Sequence, residues 1–302
     1  MNRTELLPDR PGIPPMAKLP DPEVIDPAAL AGAYAAGEID LICVVGPTAS
    51  GKTRYAVQLA KALRQETPGL AGGDVMAGGD VMAVPNVMAG GDVMAGPDRP
   101  SPEILSADSR QVYRGMDIGT GKDLCEYDDV PYHLIDIVPA GSKFNIYQYQ
   151  AAFADAWAAV RAKGAIPILC GGSGLYIEAA TKAYKFEKQN GVDPSRLPRR
   201  PYYIGTLVTR EERVERIDRR LQERLKEGLV EEVRGLLETV PAPDLIYYGL
   251  EYKFVTQFVL GELSYEDMVV GLGNAIHQFA KRQMTWFRGM ERDGIRIHWT
   301  KP

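Results

Sequence analysis

The chain has only three cysteines, Cys43, Cys125 and Cys170, and no two share the short spacing of a metal clip or a redox pair. Cys43 and Cys170 fall inside apolar, strand-like runs, where a free thiol behaves as a small core residue. Unpaired cysteines of this kind suit the reducing cytoplasm. Long hydrophobic runs are also missing, and none approaches the ~20 residues that cross a bilayer. The N-terminus lacks the charged-then-apolar order of a secretory signal. We therefore expect a cytoplasmic protein with no membrane partner. Nor is there a surplus of positive charge. The formal net charge is −5, so a nucleic-acid site must be a local patch rather than a global field.

With 45% hydrophobic and 25% charged residues over 302 positions, the chain can build a sizeable core in one large domain or two small ones. Its most specific stretch is Gly46-Pro47-Thr48-Ala49-Ser50-Gly51-Lys52-Thr53. This stretch follows the apolar run Leu41-Ile42-Cys43-Val44-Val45 and opens a segment with helical spacing from Tyr55 to Leu63. Strand, glycine-rich loop and helix with G-x-x-x-x-G-K-[ST] in the loop form a phosphate-binding motif. Glycines let backbone N–H groups close around a polyphosphate, and the helix N-terminus adds a positive dipole end. Lys52 can reach the terminal phosphate, and Thr53 can offer a hydroxyl to Mg²⁺. The motif predicts a bound diphosphate or triphosphate without saying which.

Residues 1–38 are rich in proline and acidic residues, and we expect a poorly ordered extension with a helical turn or two in Pro27 to Ala36. The segment 68–102 carries the hexad Ala-Gly-Gly-Asp-Val-Met at 71–76, 77–82 and 89–94, with a changed copy at 83–88. Four hexads are too few to stack a β-helix core, so we read a flexible insertion without catalytic role. Beyond it, strands and helices alternate. Strands are expected at 103–107, 166–170, 202–208 and 295–299. A capping box at Asn145 and Gln148 opens a helix over 145–163, with Ile146, Tyr149, Phe153, Trp157 and Val160 on one face. Thr209 and Glu212 open another, with Val214, Ile217, Leu221 and Leu225 inward and a stop near Gly228. A helix over 229–239 follows. Ser264 and Asp267 start a long one to about Gly289. The pattern predicts an α/β fold with a doubly wound parallel sheet, flanking helices and a C-terminal helical part, making one P-loop domain over 39–302. Loops 46–53, 108–111 and 171–174 then meet beyond the carboxyl ends of the strands. Asp108 stands there directly after a strand. On position alone it serves equally as a general base, a magnesium partner or a turn-capping aspartate.

The words around it narrow the choice. Ser106-Ala107-Asp108-Ser109-Arg110-Gln111-Val112-Tyr113-Arg114-Gly115-Met116-Asp117-Ile118-Gly119-Thr120-Gly121-Lys122 resembles the signature of the tRNA dimethylallyltransferases. So do Gly46 to Thr53, His133 to Ile137, Pro167 to Tyr176, Gly261 to Met268 and Ala280 to Gly289. The resemblance runs from about 41 to 299, leaving out the hexads. It implies transfer of the five-carbon group of dimethylallyl diphosphate to the exocyclic amine of the adenosine just 3′ of a tRNA anticodon, with Mg²⁺ as cofactor. In this family the phosphate loop holds the donor diphosphate, so ATP need not be a substrate. Lys52 and Thr53 would then act on the leaving group, and Asp108 would accept the amine proton. Arg210 falls on a family arginine that helps hold the diphosphate, although by its surroundings it reads equally as a solvated helix residue. Asp108, Ser109, Arg110 and Gln111 match one tRNA-contacting segment. Lys281, Arg282, Gln283, Trp286 and Arg288 match another. Ser173 stands where the family usually has threonine. A base inside an anticodon loop must be flipped out to reach such a pocket, with positive charge and flat side chains nearby.

The chain departs from the family pattern in two places. Members commonly insert a helical domain that grips the anticodon stem, whereas here only 181–201 separate the flanking elements, so the resemblance implies a short form. Gly249-Leu250-Glu251-Tyr252-Lys253 only loosely matches the family's Gly-Tyr-Arg stretch. An adenylate isopentenyltransferase acting on free adenine nucleotide, a P-loop small-molecule kinase and a non-catalytic RNA-binding relative are the competing readings. A monomer is expected.

Overall fold

The computed structural model describes residues 19–66, 101–182 and 192–302. In chain order its elements are α1 (Pro27–Ala35), β1 (Leu41–Val45), α2 (Lys52–Glu66), β2 (Glu103–Ser106), β3 (Tyr113–Arg114), β4 (Tyr132–His133) and β5 (Val138–Pro139). There follow α3 (Ile146–Ala162), β6 (Pro167–Gly171), α4 (Gly174–Thr181), β7 (Pro201–Thr206), α5 (Arg210–Glu227) and α6 (Leu229–Leu237). The last are α7 (Ala242–Tyr247), α8 (Leu250–Val259), α9 (Tyr265–Arg292) and β8 (Ile297–Thr300).

The buried strand β1 decides the architecture. Successive strand side chains point to opposite faces. Leu41, Cys43 and Val45 therefore enter one hydrophobic core, and Ile42 and Val44 enter another. A strand apolar on both faces needs helices on both sides. On one side, Leu30 of α1 and Val57, Ala60 and Leu63 of α2 cover Ile42 and Val44. On the other, α3, α4 and the C-terminal helices contribute Tyr149, Phe153, Ile177, Leu272 and Phe287.

The main sheet has the order β4-β2-β6-β1-β7-β8, with every neighbouring pair parallel. Val45 pairs with Gly171 and Gly205, and Ser106 pairs with Cys170, so β1, β2, β6 and β7 end nearly level. The loops that leave them emerge at one edge. The expected doubly wound sheet is what the chain forms.

Local signals set most boundaries. The Asn145 carboxamide accepts from the Tyr147 and Gln148 N–H groups, and Gln148 returns a bond to the Asn145 N–H. The Thr209–Glu212 box opens α5, which ends at Gly228 with φ 107°. Ser264 caps α9, which runs three residues beyond the expected Gly289. Two expectations need correction. The stripe on α5 is buried only at Ile217 and Leu221, where Leu221 packs against Gly273 of α9, whereas Val214 nearer the N-terminus is exposed and Leu225 is partly buried. Residues 19–38 are also packed rather than loose. Asp26 caps α1, Leu30 and Ala31 are buried, and the Glu23 N–H donates to Trp299 O at the sheet edge. The hexads, most of the insertion at 68–102, and 183–191 of the shortened region lie outside the described residues.

Candidate active site

The phosphate loop is built from backbone constraints. A Cβ at Gly46 would collide with the side chains of Thr206 and Ser50, which are themselves hydrogen-bonded at 2.7 Å. Ala49 and Gly51 take left-handed φ values of 62° and 80°, and α2 begins at Lys52. Left-handed turns beside right-handed ones point successive N–H groups inward, and the free N–H groups of a helix start add to that cradle. The Lys52 ammonium reaches Pro47 O at 3.5 Å. Burial lowers its pKa, and the nearby Asp108 carboxylate acts against that shift. The Thr48 N–H and hydroxyl both donate to Gln283 Oε1, at 2.7 and 3.1 Å, while Gln283 Nε2 donates to Gly172 O at 3.0 Å. Gln283 thus ties the phosphate loop to the loop after β6.

The loop after β2 carries Asp108 to the same edge of the sheet. The Asp108 N–H donates to Ser106 Oγ at 3.3 Å, and the Arg110 N–H donates to Asp108 Oδ1 at 3.0 Å, which fixes the carboxylate. The Ser109 N–H donates to Ser173 Oγ at 3.0 Å, so the family's hydroxyl position anchors this loop. Gln111 Nε2 donates to Gly121 O at 3.3 Å. Arg110 pairs with Glu251 at 2.5 Å and lies 5.7 Å from the centre of the Tyr252 ring.

Thr48, Lys52, Thr53 and Asp108 line one cavity. Ile118, Ile217, Leu221, Leu250, Ile276 and Phe279 also line it, together with Arg220 and Arg224. A polyphosphate cradle, a carboxylate and a greasy surface in one space fit a ligand with a charged head and a hydrocarbon tail. Cys170 lines the cavity too, and burial pushes its thiol up to about 12, so it stays a neutral neighbour of the Thr53 hydroxyl.

The rim loop at 117–121 is held from behind. Glu232 Oε2 accepts from the Asp117 and Ile118 N–H groups at 2.8 and 2.6 Å. Its Oε1 accepts from the Gly119 N–H at 3.0 Å and the Tyr252 hydroxyl at 2.7 Å. Gly119 has no room for a Cβ against the Tyr252 ring. Lys122 is buried beneath the loop and spends its donors on Tyr113 O, Asp117 and Asp136.

Arg210 is not part of this cavity. It is the exposed first residue of α5 and lines neither the cavity nor the adjoining cleft. Arg216 lies ~9 Å farther along the helix axis at 1.5 Å per residue, and it faces that cleft with Lys52, Thr53, Arg220 and Arg224. Their spacing of four residues was the available signal, since it places three arginines on one helix face. Of the second expected tRNA segment, Lys281, Arg282, Trp286 and Arg288 are exposed, whereas Gln283 is buried. Trp286 packs on Gly174, where a Cβ would strike its indole. No helix among the described residues is long and apolar enough to cross a membrane.

The family described as IPP transferase matches residues 111–196 and 185–290, two stretches that meet in the shortened region. A tRNA dimethylallyltransferase 2 of Porphyromonas gingivalis is 42% identical over 317 residues, covering 86% of this chain and 93% of the relative. A protein of the same name from Bacteroides fragilis is 40% identical over 320 residues, covering 87% and 92%. Among solved structures, a tRNA isopentenylpyrophosphate transferase from Staphylococcus epidermidis superposes with a TM-score of 0.64 at 25% identity, covering 86% of this chain and 92% of that one. The full-length enzyme from Bacillus halodurans shares the fold, with a TM-score of 0.66 at 24% identity over 87% and 89%. The phosphate cradle, the aspartate beside it and likeness along most of the chain agree, and the chain belongs to the IPP transferase family.

Proposed function

We propose that this protein transfers a dimethylallyl group from dimethylallyl diphosphate to the exocyclic amine of the adenosine 3′ of a tRNA anticodon. The observation that carries the reading is the shared cavity, lined at once by Lys52 and Thr53, by Asp108 and by a set of apolar side chains. The N–H groups of the 46–52 loop and the Lys52 ammonium meet the negative charge that builds on the diphosphate as its bond to the allyl carbon breaks. Ile217, Leu250 and Phe279 enclose the hydrocarbon and keep water from the carbon that turns positive. The adenine amine attacks that carbon, and Asp108, aimed by the Arg110 N–H, takes its proton. Arg216, Arg220 and Arg224 replace Arg210 as the arginines for the departing diphosphate.

The donor set fits Mg²⁺. Thr53 offers one hydroxyl at the helix start, and no cluster of three acidic, histidine or cysteine side chains stands among the described residues. Mg²⁺ keeps several waters and is completed by substrate phosphates, so one or two protein oxygens suffice. When bound it supplies charge neutralisation on the diphosphate. The exposed Lys281, Arg282, Trp286 and Arg288 provide charge and a flat surface for the RNA.

The test is incubation with labelled dimethylallyl diphosphate and Mg²⁺, with tRNA in one reaction and AMP or ATP in another. Label in RNA is expected. Label in nucleotide alone, or in neither, overturns the reading. Asp108→Ala should lower transfer by about 10² to 10⁴ while donor binding persists. Donor binding lost together with transfer would assign Asp108 to the metal.

A further inference from the structure

Arg110 makes fewer bonds than its surroundings allow. A guanidinium has five N–H donors. Nη1 lies 2.5 Å from Glu251 Oε2 as an ion pair, while Nε, Nη2 and that Oε2 are buried without a hydrogen-bond partner. The nearby Lys122 ammonium, by contrast, satisfies its donors on Tyr113 O, Asp117 and Asp136. The Arg110 side chain is also held in place. Tyr252 lies beside it, its hydroxyl fixed by Glu232, and both Arg110 and Glu251 line the cavity that contains Asp108. A rigidly backed, under-used donor group two residues from the acid–base carboxylate has the form of a reading head for the acceptor.

On the function proposed above, we infer that Glu251 positions Arg110 to donate to the ring nitrogen beside the reacting amine of the acceptor base. An adenine edge presents an amine donor next to a ring-nitrogen acceptor. Asp108 accepts from the first, and Arg110 donates to the second. Guanine and uracil carry a carbonyl oxygen in place of the amine, which would face the Asp108 carboxylate acceptor to acceptor. Arg110 itself lines the cavity, so its spare N–H groups border the space that the acceptor base would enter. Glu251 touches no reacting atom. It is a positioning residue whose charge keeps the guanidinium at that depth.

The experiment uses the full chain with an anticodon stem-loop RNA carrying adenosine, 1-deazaadenosine or 7-deazaadenosine at the acceptor position. Loss of the hydrogen-bonded ring nitrogen is expected to lower wild-type kcat/KM about tenfold for one of the two deaza acceptors. In Arg110→Lys and Glu251→Gln, adenosine itself should be slowed about tenfold, and the deaza penalty should shrink below about twofold. The KM for dimethylallyl diphosphate should stay within about twofold of wild type, a split that general unfolding would not give. Equal wild-type rates on all three RNAs overturn the assignment, as does an undiminished penalty in a folded variant. Wild-type protein that prenylates no RNA at all overturns the functional reading instead. The wild-type comparison decides even if a variant fails to fold.

Discussion

Replacing Glu232 by alanine should unfasten the rim of the cavity. Its carboxylate accepts four bonds, three from the consecutive N–H groups of Asp117, Ile118 and Gly119 and one from Tyr252, at 2.6 to 3.0 Å. A hydrogen bond to a charged group is worth about 1.5–3 kcal/mol net when buried. The site is only part-buried and the Asp117 contact is exposed, so we take about 1 kcal/mol for each bond, or 3 to 4 kcal/mol in all. Water can reach some of the freed N–H groups, which sets the upper end. Tyr252→Phe removes one bond of the four and should cost about 1 kcal/mol. The two changes share a bond, so the double variant should fall short of their sum by about that amount. Urea unfolding of the four proteins measures these values, with unchanged m-values as the check on two-state behaviour. The freed 117–121 loop should also lower kcat/KM with tRNA about tenfold, because Ile118 to Gly121 line the cavity. A Glu232→Ala loss below about 1 kcal/mol, or strict additivity with Tyr252→Phe, would refute the account of a carboxylate that holds the rim.

Two further expectations follow from ion pairs. Burial acts to raise the Glu103 carboxyl, but bonds from His133 and Lys163 outweigh it and hold its pKa below the ordinary value. A depressed carboxyl stabilises fully above its unfolded pKa of about 4.3, and the stabilisation is lost as pH falls through the folded value. The stability gap between wild type and Glu103→Gln, about 1–2 kcal/mol at pH 7, should therefore close as pH drops below about 4. A gap that widens in acid would reverse the assignment. In the active site, Arg220→Ala should raise the KM for dimethylallyl diphosphate by about tenfold or more, and Arg210→Ala should change it by less than about twofold. The opposite order in steady-state kinetics would restore Arg210 to the donor site.

What the sequence made legible was local or periodic. The phosphate loop, the capping boxes at Asn145 and Thr209, and the apolar stripes of α3 and α9 are decided by neighbours within a turn or two. The doubly wound sheet followed from the alternation of elements. What stayed hidden joins distant positions. Glu232 reads as one acid on a charged helix, and only the fold brings it to Gly119, 113 positions away. Glu251 falls in a stretch that matched the family loosely, and its partner Arg110 lies in another motif. Gln283 sits in a polar run that suggests an exposed surface, yet it faces inward because every third or fourth residue of α9, Ile276, Ala280, Gln283 and Phe287 among them, points to the core. Helices α7 and α8 carry no comparable start signals: Pro241 and Gly249, at their N-caps, make no side-chain capping bond.

The buried thiol in the cavity lining bears on oxidative chemistry. Burial pushes the Cys170 thiol up to about 12, so it stays protonated at neutral pH. Peroxide and alkylating electrophiles attack thiolates, so they should spare this sulfur although it lines the same cavity as Lys52 and Thr53. The exposed Cys125, which lines the neighbouring cleft, is the group they would find first. A maleimide added to the native protein should thus label Cys125 and leave the reaction chamber chemically untouched.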